Sequence, residues 1–172
     1  MHNKRKFYRV TIIFILLTIA IVSFDIANRS SSFSTPLEAL ENVEDPILTV
    51  QEPIKTIQVD DYAYIFFYSQ VHSPKDYIGV SKIKKGKYGW KQVDMLGAGF
   101  LSDNIINGDL ASQNNFSVGL ATLEVSSVIV NQQKATIIPL NEDAAKIWFV
   151  TNIEDTNETE IQFLDNQGKP LN

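Results

Sequence analysis

The chain has 172 residues, is 44% hydrophobic and contains no cysteine. This length allows one compact domain or two small subdomains, and the lack of cysteine excludes disulfides and catalytic thiolates. The net charge is −5, but four of the 15 basic residues precede Asp25 and all 20 acidic residues stand at or after it, so the remainder carries −9. Such an acidic domain repels polyphosphate, so we expect no nucleic acid partner.

An apolar run, Val10 to Phe24, follows a basic tail over residues 1–9. The basic residues of this tail are Lys4, Arg5, Lys6 and Arg9. This order predicts an export segment with its basic end in the cytoplasm and the C-terminal domain outside the cell. The run is short for a membrane span of about 20 residues, but residues 7–24 suffice if Arg9 reaches the interface.

The residues after Phe24 fit a signal-peptide cleavage site poorly, because small residues are missing at the required positions. We therefore expect an uncleaved transmembrane signal anchor over residues 10–27, which makes the chain a single-pass protein of the cell membrane. Cleavage of the segment would instead give a secreted protein.

Residues 28–35, NRSSSFST, predict a polar linker that holds the following domain off the bilayer. The sequence Thr35-Pro36-Leu37-Glu38 then predicts a helix start, with a capping threonine, proline at the first helical position and glutamate three residues after the cap. We expect a short amphipathic helix from Pro36 to Glu44, ended by Asp45-Pro46.

The next residues predict an edge segment and three strands. Ile47 to Val59 alternates around Pro53, which indicates an edge strand. Tyr62 to Val71 is aromatic or β-branched on both faces, which is typical of a central strand buried on both sides. Two further strands, joined by a hairpin turn at Lys85-Gly86-Lys87, are predicted at Tyr77 to Lys84 and Tyr88 to Met95.

Leu96 to Asn115 has no sustained period and predicts an irregular connector, with a helical turn near Ser102 to Ile106. Later strands are predicted at Phe116 to Leu123, Val125 to Val130, Lys134 to Ile138, Ala145 to Thr151 and Glu160 to Leu164. Asn131-Gln132 predicts a hairpin turn. We expect an α+β, mostly β architecture: a transmembrane helix, a short helix, and two packed antiparallel β-rich halves over 36–172, which allow subdomains at 36–96 and 116–172.

The segments TPLEALENV, DYAYIFFYS, IGVSKIKKGKYGWKQV and IQFLDNQGKPL resemble a group of small, uncharacterised extracytoplasmic proteins of Bacillus and its relatives. In that group a TPEEAL-like helix leads into an apolar strand and a GWK hairpin. The resemblance covers about Thr35 to Leu171, and its motifs are structural rather than chemical. It implies an anchored or secreted Gram-positive surface protein of unknown activity, and it brings no functional residues with it.

An aromatic group is the main candidate for a ligand platform. If Ala63, Ile65 and Phe67 face the core, the opposite row of the same strand would be exposed to a glycan or a peptide. Packing of that row against the helix Pro36 to Glu44 is the more common arrangement for aromatic residues. The group comprises Tyr62, Tyr64, Phe66, Tyr68, Tyr77, Tyr88 and Trp90.

His72 is the one histidine outside the basic tail. With Ser69 and Asp76 it suggests a catalytic triad, and with Asp60-Asp61 a metal site. Residues so close on one strand and its turn rarely converge on one point, so a polar turn is the simpler interpretation. Asp60-Asp61 and the segment 165–168 lack the ligand count of a calcium loop, and turn chemistry explains both.

A basic hairpin stands out on the acidic domain. It could contact anionic wall polymer, lipid head groups or an acidic partner, although a solvated hairpin tip is the simpler interpretation. Its cations are Lys82, Lys84, Lys85, Lys87 and Lys91.

We therefore expect a membrane-anchored extracytoplasmic protein that binds a protein or cell-wall component, without catalysis, cofactor or metal. One alternative is an envelope hydrolase that uses acidic residues such as Asp60, Asp94 or Asp103. Another is an accessory subunit of a membrane complex, in which Val10 to Phe24 packs on a partner helix.

Overall fold

The computed structural model describes residues 2–43, 47–101, 111–113, 115–140, 145–153 and 159–171. Within these ranges it contains two helices and twelve strands: α1 His2–Ser30, α2 Pro36–Glu41, β1 Val50–Val59, β2 Tyr62–Ser69, β3 Tyr77–Gly86, β4 Gly89–Phe100, β5 Ala111–Gln113, β6 Phe116–Ala121, β7 Ser127–Val130, β8 Gln133–Lys134, β9 Thr136–Pro139, β10 Lys146–Thr151, β11 Ile161–Leu164 and β12 Pro170–Leu171. The predicted helix end at Asp45-Pro46 and the predicted turn near Ser102 to Ile106 lie outside the described residues.

From Thr11 to Phe24 the side chains of α1 are exposed, and apolar residues lie on all sides of the helix. Phe14 and Phe24 are each 70% exposed, and Ile12 is 56% exposed. A helix that is apolar all round has no face suited to water. The stretch Thr11–Ser30 is long and apolar enough to cross a membrane, which supports membrane association of this chain.

The serines after Asn28 extend and cap α1. The hydroxyl groups of Ser31 and Ser32 donate to the carbonyl oxygen of Asn28 at 3.4 and 2.8 Å. The last carbonyl groups of a helix lack backbone donors further along the chain, and serine hydroxyls can satisfy them. Part of the linker predicted over 28–35 is therefore helix, because the same polar side chains that favour a spacer also cap a helix end.

A reciprocal backbone bridge joins the chain after α1 to β4. The Phe33 N–H donates to the Trp90 carbonyl at 2.9 Å, and the Trp90 N–H donates to the Phe33 carbonyl at 2.8 Å. Gly89 permits this approach: its φ is +134°, and a Cβ at this position would overlap the Phe33 carbonyl. Only Ser31 and Ser32 separate the helix from the bridge, so the predicted spacer is corrected to a short, paired connection.

The start of α2 follows the predicted capping pattern. The Thr35 hydroxyl accepts from the Glu38 N–H at 3.2 Å, and proline occupies the first helical position. The Glu38 carboxylate reaches back to the Ser34 N–H at 3.1 Å, one residue before the cap, so the two side chains together satisfy two backbone donors. The helix ends at Glu41, three residues earlier than predicted.

Sheet 1 is an antiparallel meander in the order β1-β2-β3-β4. As predicted, β1 is an edge strand, and its pairing with β2 shifts register beside Pro53. Residues 63–69 of β2 are all buried, which confirms the prediction of a central strand covered on both faces. The β3–β4 hairpin closes at Gly86 and Gly89, so its turn is Lys87-Tyr88 rather than Lys85-Gly86-Lys87.

β4 continues to Phe100, five residues beyond its predicted end at Met95. The glycines in this part of the sequence predicted an irregular connector, but in the structure they belong to β4 and allow close packing within the sheet. A Cβ at Gly97 would overlap the Tyr77 side chain, so the ring of Tyr77 lies across this glycine on the neighbouring strand. The pairing with β3 also shifts register here, as expected for a bulge.

The second half forms two sheets, in the orders β5-β6-β10-β9 (sheet 2) and β12-β11-β7-β8 (sheet 3). The predicted strand Lys134 to Ile138 is divided between them at Ala135, which is buried and donates its N–H to the Val128 carbonyl at 2.8 Å. The predicted turn Asn131-Gln132 is confirmed between β7 and β8. Its φ values of +47° and +66° are those of a type I′ hairpin turn.

The layers stack in the order α2, sheet 1, sheet 2 and sheet 3. The cluster between α2 and sheet 1 contains Ala39, Leu40, Ala63, Ile65, Phe67, Ile83, Trp90 and Met95. The cluster between sheets 1 and 2 includes Tyr64, Phe66, Tyr68, Val80, Phe116, Val118, Ile147 and Phe149. The cluster between sheets 2 and 3 includes Val128, Val130, Trp148, Val150 and Phe163. The protein is thus α+β and mostly β, as predicted.

Candidate functional site

The predicted aromatic platform is largely buried. Tyr64, Phe66 and Tyr68 are 3%, 0% and 5% exposed, because sheet 2 covers the face of β2 that carries them. The Phe149 ring lies 4.7 Å from Tyr64 and 5.1 Å from Phe66, centroid to centroid. The expectation of an exposed row is therefore corrected. The alternative of core packing holds, but against a second sheet, since α2 occupies the opposite face of β2.

The remaining aromatic candidates lie apart from one another. Tyr77 is partly buried and meets Phe100 edge to face at 4.6 Å. Trp90 is buried in the cluster between α2 and sheet 1. The Tyr88 hydroxyl donates to the Asp25 carboxylate on α1. These residues therefore do not form a continuous surface with Tyr62, which lies at the rim of the core between sheets 1 and 2.

A cleft opens at this rim, with a cavity volume of about 400 Å³. Lys82 and Asp94 face each other across β3 and β4 and are only 9% and 8% exposed. Opposite charges at directly paired positions of a sheet attract each other. The residues described as lining the cleft are Tyr62, Lys82, Lys84, Val93, Asp94 and Asn115.

Aromatic rings surround the amine of Lys82 in the cleft. Its Nζ lies 4.6 Å from the ring centroid of Tyr62, 5.9 Å from that of Tyr64 and 5.6 Å from that of Phe116. These distances are within the range of favourable cation–π contacts. The amine is thus held by the core rim, which is why Lys82 lies in the cleft rather than on the solvated hairpin.

Burial raises the pKa of Tyr64 to about 12, with smaller contributions in the same direction from Tyr62 and Asp60. The hydroxyl is therefore protonated at any cellular pH. Asp94 is also held in place, because its Oδ1 accepts from the Met95 N–H at 2.9 Å. Tyr64 does not line the cleft, but the fixed carboxylate of Asp94 and the amine of Lys82 do, and such groups are suited to binding a polar ligand in a cavity of this size.

The residues of the triad hypothesis do not form a relay. The Asp76 carboxylate accepts from the backbone N–H groups of Val71 at 3.0 Å and of His72 and Ser73 at 2.8 Å. The His72 Nδ1 lies 3.9 Å from Asp76, with its ring 78% exposed. Ser69 is fully buried, and its hydroxyl has no hydrogen-bond partner in the described part of the chain. The carboxylate therefore stabilises the turn after β2.

The acidic candidates Asp60, Asp61 and Asp165 belong to turns. Asp60 has a φ of +52° in the exposed turn between β1 and β2, and Asp61 follows it. Asp165 Oδ1 accepts from the N–H groups of Gln167 and Lys169 at 2.8 Å, which is turn chemistry. Across the described ranges there is no group of three or more His, Cys, Asp or Glu residues placed to hold a metal ion. Asp103 lies outside those ranges.

The end of the β3–β4 hairpin meets α1. Beside the bond from Tyr88, the Lys87 Nζ lies 3.5 Å from Asp25 Oδ1, with both side chains exposed. Lys91 Nζ lies 3.3 Å from the Ser31 hydroxyl. An exposed ion pair is screened by solvent and contributes little to stability, so the paired backbone of Phe33 is the stronger part of this connection.

Sequence reasoning missed both the cleft and the connection to α1. Lys82 shares a strand face with Ile78 and Val80, both fully buried, and this period of two was a usable signal for a buried lysine. The pairing of Phe33 with β4 has no comparable pattern in the sequence. A single pair of backbone hydrogen bonds does not require the alternation of apolar and polar residues by which a strand is predicted.

No protein-family model, curated protein or solved structure matches this chain. The resemblance to extracytoplasmic proteins of Bacillus and its relatives stays a prediction.

Proposed function

We propose that this chain is a single-pass membrane protein whose C-terminal domain lies on the extracytoplasmic side and acts by binding a protein or envelope component. The observation that carries the proposal is α1, whose exposed apolar stretch can cross a membrane and continues into the folded domain after only two residues. A short connection that is hydrogen-bonded to β4 suits a domain that works at the membrane surface.

The charge distribution supports the orientation. The tail over 1–9 carries four cations, whereas the short segment between the apolar run and α2 carries Asp25 and Arg29. Positive charge is retained on the cytoplasmic side of membrane helices. We therefore propose that the tail lies in the cytoplasm and the acidic domain outside.

The cleft supports binding over catalysis. Its carboxylate and amine, Asp94 and Lys82, are held by neighbouring groups and are nearly buried, and Tyr62 and Val93 add an aromatic and an aliphatic wall. Sites that bind small polar ligands combine apolar walls with a few fixed polar groups.

The hydrolase alternative needs two carboxylates that face each other in one cleft. Asp94 lines the cleft, whereas Asp60 belongs to the exposed turn between β1 and β2. The accessory-subunit alternative places specificity in Val10 to Phe24. It predicts that shuffling the order of these apolar residues abolishes function while the protein stays in the membrane.

The orientation can be tested by cysteine labelling, because the natural chain has no cysteine. Single variants Asn3→Cys, in the basic tail, and Asn166→Cys, in the turn before β12, are expressed in cells of a Gram-positive host. A membrane-impermeant maleimide should label Asn166→Cys in intact cells and Asn3→Cys only after permeabilisation. The reverse pattern would contradict the proposed orientation.

Intact mass from fractionated cells separates an anchor from a cleaved signal. A full-length species in the membrane fraction is expected. A shorter species in the medium, beginning near residues 25–30, would overturn the anchor and leave a secreted binding protein.

A further inference from the structure

The closed end of the β3–β4 hairpin carries a cluster of exposed cations. Lys84, Lys85 and Lys87 are all exposed, and Tyr88 is partly exposed beside them. We name residues 84–88 the basic tip. Its charge is opposite to that of the domain as a whole, since the chain from Asp25 onward carries −9.

The basic tip lies at the end of the apolar segment of α1. Tyr88 and Lys87 both contact Asp25, and Asp25 directly follows Phe24, the last residue of the apolar run. The bridge between Phe33 and Trp90 holds the hairpin in this place through backbone hydrogen bonds. A bilayer that surrounds α1 would therefore have its surface at the level of the basic tip.

Charge decides which part of the domain such a surface attracts. An anionic bilayer attracts lysines that lie within about 8 Å at physiological salt, and each of them favours contact by about fivefold. The same surface repels the acidic remainder of the domain. Tyrosine is also favoured at the boundary between lipid and water, and Tyr88 is the aromatic residue of the basic tip.

We propose that the basic tip binds the phosphate groups of anionic lipids in the leaflet where α1 enters the domain. The proposal rests on the membrane span proposed above. This contact fixes the tilt of the four-layer domain on the bilayer, because the tip and α1 then hold the domain at two neighbouring points.

The test uses the full chain in lipid nanodiscs, with a nitroxide attached at Gly86→Cys. A Cβ at Gly86 meets only the Gly89 carbonyl oxygen at 3.7 Å, an ordinary contact, so the variant should fold. Labels at Leu17→Cys in α1 and Asn166→Cys in the last turn are the controls. Accessibility to a water-soluble relaxing agent is compared in discs of phosphatidylcholine alone and of phosphatidylcholine mixed with phosphatidylglycerol.

We expect phosphatidylglycerol to lower the accessibility of the label at position 86 at least about twofold, and high salt to restore it. The label at position 166 should not respond. Adding the substitutions Lys84→Gln, Lys85→Gln and Lys87→Gln should abolish the lipid dependence at position 86.

An equal accessibility of position 86 in both kinds of disc would overturn the proposal. The basic tip would then be a binding site for an acidic protein or polymer instead of for lipid. The label at Leu17 distinguishes this failure from failure of the membrane span. If position 17 is inaccessible to the water-soluble agent and position 86 ignores lipid charge, the span holds and only the lipid contact is wrong. If position 17 is accessible, the span itself is wrong.

Discussion

At the scale of single residues, three charged side chains that the sequence singled out stabilise turns or the edge of the core. Asp76 holds the turn after β2, Asp165 holds the turn before β12, and Lys82 lies against aromatic rings. A charged residue in a short sequence motif can suggest a catalytic group, yet the same residue types are the ones that favour turns. The sequence pattern does not contain the hydrogen-bond partners that separate the two roles.

Substitution of Asp76 by asparagine should lower stability in a pH-dependent way. Burial alone would raise the pKa of this carboxyl, but the backbone N–H groups of Val71, Ser73 and His72 outweigh it and lower the pKa to about 2. A lowered pKa stabilises the fold above the ordinary value near 4, and the effect is lost as the pH falls from there towards 2. We expect the melting temperature of Asp76→Asn to lie a few °C below wild type at pH 7.

The difference in melting temperature between Asp76→Asn and wild type should shrink to nearly zero near pH 2. Asp61→Asn, in the exposed β1–β2 turn, is the matched control and should melt like wild type throughout. A melting difference for Asp76→Asn that stays constant with pH would contradict this account of the carboxylate.

At the scale of elements, local patterns predicted the strands better than their partners. The alternating and aromatic residues of β2 predicted its burial on both faces, and Thr35 with Glu38 predicted the start of α2. Because both faces of β2 are apolar, its sequence did not say that sheet 2 covers one face and α2 the other. The division of residues 133–139 between two sheets at Ala135 was also not predictable, since the flanking residues read as one strand.

Substitution of Gly89 by alanine should break the connection between α1 and the domain. An alanine at φ +134° is strained, and its Cβ would displace the Phe33 carbonyl. We expect a loss of about 2–4 kcal/mol in the free energy of unfolding, from backbone strain and two weakened hydrogen bonds. The measurement is urea unfolding of the full chain in detergent, together with the rate of tryptic cleavage after Arg29, which should rise.

Gly168→Ala is the control for Gly89→Ala, because its φ is +78° but no atom lies within 4 Å of the added Cβ. It should cost about 1 kcal/mol and leave cleavage after Arg29 unchanged. Equal tryptic rates for the two variants would show that the bridge does not hold α1.

At the scale of the whole molecule, three apolar interfaces hold four layers together. The sequence predicted the α+β, mostly β class because strand and helix periods are local. It did not predict the order of the layers, which depends on contacts such as that between Tyr64 and Phe149, far apart in the chain. The cleft at Lys82 lies at the rim of the interface between sheets 1 and 2. Since the sequence did not predict that interface, it did not predict the cleft either.

Substitution of Phe149 by alanine should destabilise the interface between sheets 1 and 2. Phe149 is 2% exposed and meets the rings of Tyr64, Phe66 and Phe116. Removing a buried phenyl ring costs about 3–5 kcal/mol, measured by urea unfolding in detergent. Phe100→Ala is the control, since Phe100 is only partly buried at the end of β4, and should cost about 1–2 kcal/mol. Equal losses would mean that this interface is not a main source of stability.

The meander of sheet 1 has a consequence for the growing chain. All four strands of sheet 1 have been synthesised once the chain reaches Phe100. The residues of sheet 2 that bury the second apolar face of sheet 1 are complete only when the chain reaches Phe149. Translation proceeds at about 5–20 residues per second. Tyr64, Phe66 and Val80 therefore stay unburied by sheet 2 for about 2–10 seconds after sheet 1 has been synthesised. During this interval the incomplete chain exposes the apolar face of sheet 1, which can associate with other unfolded chains. Binding of a chaperone would therefore prevent aggregation most effectively at this stage of synthesis.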